Sequence, residues 1–200
     1  MSRPEAPPLL PELPPGMPAQ GRWTYEDYCR IPDDGRRYEV IQGVLYVSPA
    51  PRTRHQLVIS HLANALYNHV HAAGLGDVVT SPIDVILPGI ATPVQPDILF
   101  VERSRAHVMQ EKYLWGAPDL IVEVLSPNNP AHDKKRKLTA YQAAGVREYW
   151  IVDPDARTIE VRVLRDGAYA LVGAFGVEDA VTSIVLPGLK VTVGRVCPES

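Results

Sequence analysis

Two carboxylates stand where apolar side chains belong. Glu123 interrupts the run Asp119-Leu-Ile-Val-Glu-Val-Leu-Ser126, and Asp97, preceded by Pro96, opens Ile-Leu-Phe-Val101. Runs of this kind form central strands covered on both faces. A carboxylate there costs on the order of several kcal/mol unless a cation or hydrogen bonds compensate it. Glu123 follows Asp97 by 26 residues, room for a strand, a connection and a return strand. On neighbouring strands, about 4.8 Å apart, both can reach one cation. Alternation places Asp97 on a face with Leu99 and Val101, and Glu123 with Ile121 and Leu125. Oxygen ligands suit Mg²⁺ or Mn²⁺ rather than zinc, and such an ion polarises a phosphodiester and activates water. A structural ion pair with a nearby Arg or Lys is the competing reading.

The next segment favours chemistry. A helix is expected from Asp133 to about Ala144, stopped by Gly145, with Asp133 as its cap. At about 100° per residue, Leu138, Tyr141, Ala144 and Gly145 cluster on one side, with Lys137 at its edge. A lysine held there can reach a site on the sheet, orient water or stabilise phosphate charge. Lys134 falls on the same side in the first turn, a possible substrate contact. Lys135 and Arg136 point elsewhere and read as solvated basic residues. Tyr141 packs the helix onto the sheet, with phosphate contact as the alternative.

In order and spacing, these residues resemble the PD-(D/E)XK nuclease superfamily, and more closely the bacterial Uma-two family of restriction-endonuclease-like proteins. The likeness is carried by Arg37-Tyr-Glu-Val-Ile-Gln-Gly43, His55-Gln56, Pro96-Asp97 and Glu123-Val-Leu-Ser-Pro127. It continues through Asp133-x-x-x-Lys137-Leu-x-x-Tyr141 and Ala144-Gly-Val-x-Glu-Tyr-Trp-Ile-Val-Asp153, and spans Trp23 to about Leu164. The resemblance implies metal-binding roles for Asp97 and Glu123 and a catalytic role for Lys137. It also raises Glu39 as a third acidic residue completing the metal shell; otherwise Glu39 pairs with Arg36, Arg37 or another surface base. The implied activity is Mg²⁺- or Mn²⁺-dependent endonuclease cleavage, with DNA as the nucleic-acid partner. One departure stands out: the superfamily pattern wants lysine two residues after the glutamate, where this chain has Leu125. The role therefore depends on Lys137 reaching the same space from its helix. The rival readings are a nuclease fold kept as a binding or regulatory module, and a nuclease acting on RNA.

The remaining candidates are weaker. His55 lies in the apolar stripe of a long helix, as a satisfied buried histidine or a phosphate contact. Arg52 and Arg54 flank that helix start and either hold a phosphate backbone or face solvent. Asp119 mimics the Pro-Asp motif, but four residues along one strand put it about 13 Å from Glu123. It reads as the residue opening the strand. His61, His69 and His71 show no ligand pattern, Trp150 reads as core, and Asp153 as a turn residue.

The elements that must position these residues are an α/β (α+β) arrangement: a mixed central sheet with a helix on each face and extra hairpins. Thr24 and Asp27 form a capping box for a short helix through Cys29. Tyr38–Ile41 and Val44–Val47 form a hairpin about Gln42-Gly43. Thr53 with Gln56 caps a helix to Ala73, ended by Gly74. Val78–Leu87, Asp97–Glu102 and Leu120–Leu125 read as strands. Glu148–Val152, Thr158–Leu164 and Tyr169–Val172 follow, with a last strand pair flanking Pro187-Gly188.

Residues 1–21 carry many prolines without hydrophobic period and read as a flexible leader, leaving 22–200 as one domain. Its 200 residues are 46% hydrophobic, enough for a full core. No run approaches the roughly 20 apolar residues of a membrane span, and the N-terminus lacks a secretory pattern. Cys29 and Cys197 have no metal spacing, consistent with a reduced, cytoplasmic setting. A net charge of −3 excludes a generally basic nucleic-acid coat but not a local basic patch. Cleaving both strands of a duplex would suit a homodimer.

Overall fold

The computed structural model describes residues 13–48, 51–126 and 131–199, with side chains in the last stretch from Lys134 onward. Pro127 and the first 12 residues of the leader lie outside that description; the helix expected to start at an Asp133 cap starts at Ala131, so Asp133 lies within it.

The N-terminal half alternates short strands with one long helix. It runs α1 (Tyr25–Tyr28), β1 (Arg37–Ile41), β2 (Val44–Ser48), α2 (Thr53–Ala73), β3 (Gly76–Thr80), β4 (Asp84–Leu87), β5 (Ala91–Val94) and β6 (Ile98–Glu102). A 3₁₀ turn, Arg103–Val108, leads to β7 (Tyr113–Trp115), β8 (Leu120–Val124) and α3 (Ala131–Ala144). The chain ends with β9 (Glu148–Asp153), β10 (Thr158–Arg165), β11 (Ala168–Phe175), β12 (Ala180–Val181), β13 (Val191–Thr192) and α4 (Val193–Val196).

Six strands, ordered β11-β10-β9-β8-β6-β3, form the central sheet, with β8 and β9 parallel and the other neighbours antiparallel. Strand alternation sorts its two faces. Ile98, Phe100, Leu120, Val122 and Trp150 pack with Val58, Leu62 and Leu66 of α2. Leu99, Val101, Ile121, Tyr149 and Ile151 pack with Ala140 and Tyr141 of α3. One helix therefore covers each face, as the alternating pattern requires.

A second sheet, β2-β1-β5-β4-β7, leans on the α3 side through Ile41, Val85, Leu87, Val94 and Leu114. Its hairpin turns at Gln42 and Gly43, both at positive φ, as a two-residue turn between twisted strands demands. A side chain at Gly43 would also meet the Gly21 carbonyl oxygen at 2.6 Å. Within the expected leader, Leu13 and Met17 pack against the Trp23, Tyr38, Val40 and Leu45 cluster.

Several elements differ from the sequence expectation. Val78–Leu87 is not one strand: it breaks at Ser81-Pro82 into β3, in the six-stranded sheet, and β4, in the five-stranded sheet. Pro82 has no N–H for a continuous ladder. β5 contains Pro93 and β7 spans three residues, so neither carries a strand-like pattern. Arg52, not Thr53, occupies the N-cap of α2, and no side chain caps it. The expected strands beside Pro187-Gly188 shrink to the two-residue β12 and β13 farther out. Between them, the N–H groups of Ile184 and Val185 bond to Glu148 and that of Leu186 to the Ser183 hydroxyl, so no ladder is needed.

Candidate active site

The register of β6 against β8 brings the two carboxylates together. Ile98 faces Val122, so Asp97, just before it, stands across from Glu123, just after it. Both are buried, on the α3 face. Asp97 is fixed on three sides: Oδ2 accepts from the Val124 N–H at 2.9 Å and lies 3.3 Å from His55 Nε2, while Oδ1 accepts from Arg37 at 3.3 Å. Burial opposes its ionisation, but the His55 contact and the Arg37 and Lys137 charges hold its carboxyl below the usual range.

Lys137 reaches this pair from the helix. Four residues before Tyr141, it lies on the same face, and both side chains are buried. The ammonium sits between the two sheets, 3.1 Å from Glu39 Oε2 and 3.0 and 3.1 Å from the Glu123 oxygens. Tyr141 donates its hydroxyl to Glu123 Oε1 at 2.6 Å. Burial pushes the Glu123 carboxyl up to about 7; Lys137 and Tyr141 pull it down, and the neighbouring Asp97 and Glu39 push it up. The same burial, with Glu123 beside it, drives the Tyr141 hydroxyl well above its ordinary value.

Glu39 comes from β1, where Arg37, Glu39 and Ile41 alternate toward the α3 side. Its Oε1 accepts from the Gln95 N–H at 2.8 Å. Arg37 and Gln95 were not singled out as site residues from sequence. The Arg37 guanidinium bonds the Gln95 side chain at 3.3 Å, the Gln95 carbonyl oxygen and Asp97. Gln95 in turn donates to Asp84 at 2.8 Å and to the Tyr28 hydroxyl at 3.3 Å. The available signal was Arg37 opening the hairpin two residues before Glu39; Gln95 carries none beyond its nearness to Asp97.

A model of the Uma2 family, described as "Putative restriction endonuclease", matches residues 25–194. The chain belongs to the Uma2 family. A crystal structure from Anabaena variabilis ATCC 29413, described as a "putative nuclease", shares the fold at a TM-score of 0.72 and 19% identity. The match covers 88% of this chain and 97% of that one. No curated protein matches the chain. The family supports a nuclease and hence a nucleic-acid substrate.

Other predicted residues of this Uma2 chain lie apart from the carboxylates. Lys134 pairs with Glu160 of β10 at 3.1 Å. Arg136, expected to be solvated, stacks over the Tyr46 ring at 3.8 Å. Arg54 pairs with Asp155 at 3.6 Å beside His55. His69 contacts the Pro187 carbonyl oxygen, His71 stacks on Tyr67, and Trp150 is core. Asp119 joins a separate ion-paired cluster with Arg105 and Arg147.

The donor chemistry fits a hard divalent cation. Asp97, Glu123 and Glu39 offer only oxygen, and burial, together with Asp97 and Glu39 nearby, disfavours an ionised Glu123. As the side chains stand, no three His, Cys, Asp or Glu groups among the described residues converge in ligand geometry. The Lys137 ammonium lies where Glu39 and Glu123 approach. Asp97 with Glu123 is the pair suited to hold the ion, and Glu39 is first a partner of Lys137. No helix among the described residues is long and apolar enough to cross a membrane.

Proposed function

We propose that this protein is a Mg²⁺- or Mn²⁺-dependent endonuclease that hydrolyses phosphodiester bonds in DNA. The observation that supports it most is the buried meeting of Asp97, Glu123 and Lys137 at the facing ends of β6 and β8. A structural ion pair needs one carboxylate per cation; here three carboxylates crowd one lysine and one arginine. When bound, the divalent ion supplies positive charge to the scissile phosphate and its attacking water. Asp97 and Glu123 hold it. His55, Arg37 and the Val124 N–H keep Asp97 oriented and ionised. Tyr141 orients Glu123. Lys137, handed over from the carboxylates, donates N–H to the developing phosphate charge or fixes the water. Glu39 positions Lys137. Leu125 leaves the usual lysine position apolar, and the helix lysine reaches the carboxylates instead.

The test incubates purified protein with supercoiled plasmid, single-stranded DNA and RNA in Mg²⁺, Mn²⁺ or chelator, with Asp97→Ala in parallel. Metal-dependent nicking that vanishes in the variant is the expected result; equal cleavage by the variant removes this site assignment. A second reading, a nuclease fold acting as a binding module, is favoured by the closed Lys137 network with Glu39 and Glu123. Chelator-insensitive DNA retention without cleavage would select it.

A further inference from the structure

Behind the carboxylates stands a buried amide, Gln95, in the link between β5 and β6. It touches both flanks of the site. Its N–H donates to Glu39 Oε1 at 2.8 Å, and its carbonyl oxygen accepts from the Arg37 guanidinium, which also holds Asp97. The side chain repeats the grip on Arg37, with Oε1 accepting from Arg37 Nε at 3.3 Å. At its other end, Nε2 donates to Asp84 Oδ1 of β4 at 2.8 Å and to the Tyr28 hydroxyl of α1 at 3.3 Å. Tyr28 closes the ring by donating to the same Asp84 oxygen at 3.1 Å.

Chemistry fixes which way the Gln95 amide points. A guanidinium only donates and an ionised carboxylate only accepts, so the amide oxygen must face Arg37 and the nitrogen Asp84. We propose that Gln95 is a positioning residue, held in orientation by Asp84 and Tyr28, that sets Arg37 against Asp97 and Glu39 against Lys137. Its effect on rate rests on the nuclease reading; the hydrogen-bonded relay does not. Through Gln95 and Arg37, the acid at position 84 acts on Asp97 from the second sheet.

Substitutions at 95 keep the backbone bonds and so test the side chain alone. Rates are compared at a temperature where circular dichroism shows each variant folded. Gln95→Met, of similar length, removes both ends of the amide. It is expected to lower kcat for plasmid nicking about tenfold with KM unchanged. Hydrogen-exchange protection of the Arg37 Nε–H, followed by ¹⁵N NMR, should fall about tenfold or more in the same variant. Gln95→Glu keeps an acceptor for Arg37 but sets a second carboxylate against Asp84, and kcat is expected to fall about tenfold or more. Adding Asp84→Asn moves the charge from 84 to 95 and restores the donor–acceptor pairs, because the introduced amide donates where Gln95 Nε2 did. The double variant should recover to within about threefold of wild type. A residue that only packs gives no such recovery, since the exchange leaves side-chain shape unchanged.

Unchanged Arg37 protection in Gln95→Met overturns the proposal. In a protein that cleaves, so does an unchanged kcat in that variant, or a double variant no faster than Gln95→Glu. A wild type that cleaves no nucleic acid, with Arg37 protection lost in Gln95→Met, would fell the nuclease reading and leave the relay standing.

Discussion

Asp97 and Glu123 lie at one end of β6 and β8, while Asp119 and Glu148 lie at the opposite end of β8 and at the start of β9. All four are buried. At the second end every carboxylate has its own donors. Asp119 accepts from the Glu102 N–H at 2.8 Å, from Arg105 at 2.7 Å and from Arg147 at 3.2 Å. Glu148 accepts from Trp150 at 2.6 Å, from the Ser183 hydroxyl and from the Ile184 and Val185 N–H groups. The first end is built differently: Glu39 and Glu123, one from each sheet, share the Lys137 ammonium beside Asp97, and burial, with these acids nearby, pushes Glu123 up to about 7. Burial of an acid therefore does not mark a site. Crowding of acids around too little positive charge does.

Exchanging the two ends in experiment should separate activity from stability. Asp97→Ala is expected to lower metal-dependent cleavage by about 10³-fold or more while the protein stays folded. Asp119→Ala should cost on the order of 3 kcal/mol in urea unfolding, because Arg105 and Arg147 lose their shared partner, and leave the turnover of folded protein intact. Similar losses of activity in both would erase the distinction. Lys137→Ala comes next: about 10²-fold slower cleavage with Mn²⁺ binding retained by calorimetry. An unchanged rate would assign the lysine to structure alone.

The pH response sharpens the contrast further. Glu123 is raised from 4.5 to about 7, so its contribution to stability is complete below its ordinary range and lost as pH rises through about 7. Asp97 is lowered, so its contribution is present above its ordinary range and lost as pH falls. Holding a cation requires ionised Glu123; Mn²⁺ affinity should therefore climb between about pH 6 and about pH 8. Glu123→Gln should flatten the thermal-midpoint profile between pH 4.5 and about 7. The smallest effect is expected from Tyr141→Phe. Removing the 2.6 Å bond raises Glu123 further, shifts the activity profile to higher pH and costs about 1 kcal/mol.

Much of the site was legible from sequence because a carboxylate in an apolar run is costly and visible. Asp97 and Glu123 stood out for that reason, and the helical wheel placed Lys137 beside Tyr141. His55 was less legible. Its stripe on α2 indicated burial, but only the fold shows the helix start lying against Asp97. Arg37 and Gln95 escaped because their role depends on β1 and β5 pairing across the chain, and β5 contains Pro93. The five-stranded sheet was only half visible: its hairpin has strong alternation and turn chemistry, whereas β4, β5 and β7 are too short to show a period. Asp119 and Glu148 were hard to interpret for the opposite reason. Their partners are two arginines, the Trp150 indole, the Ser183 hydroxyl and backbone groups, and apart from Trp150 none shares a local spacing that would announce it.

Lys137 grips Glu39 of one sheet and Glu123 of the other from a helix that belongs to neither. It is a rivet between two plates. A ligand that draws the ammonium away unfastens the plates at that point, so loading the site should be felt as faster amide exchange along β1. In this architecture, readiness for chemistry and looseness of the hairpin are one mechanical event.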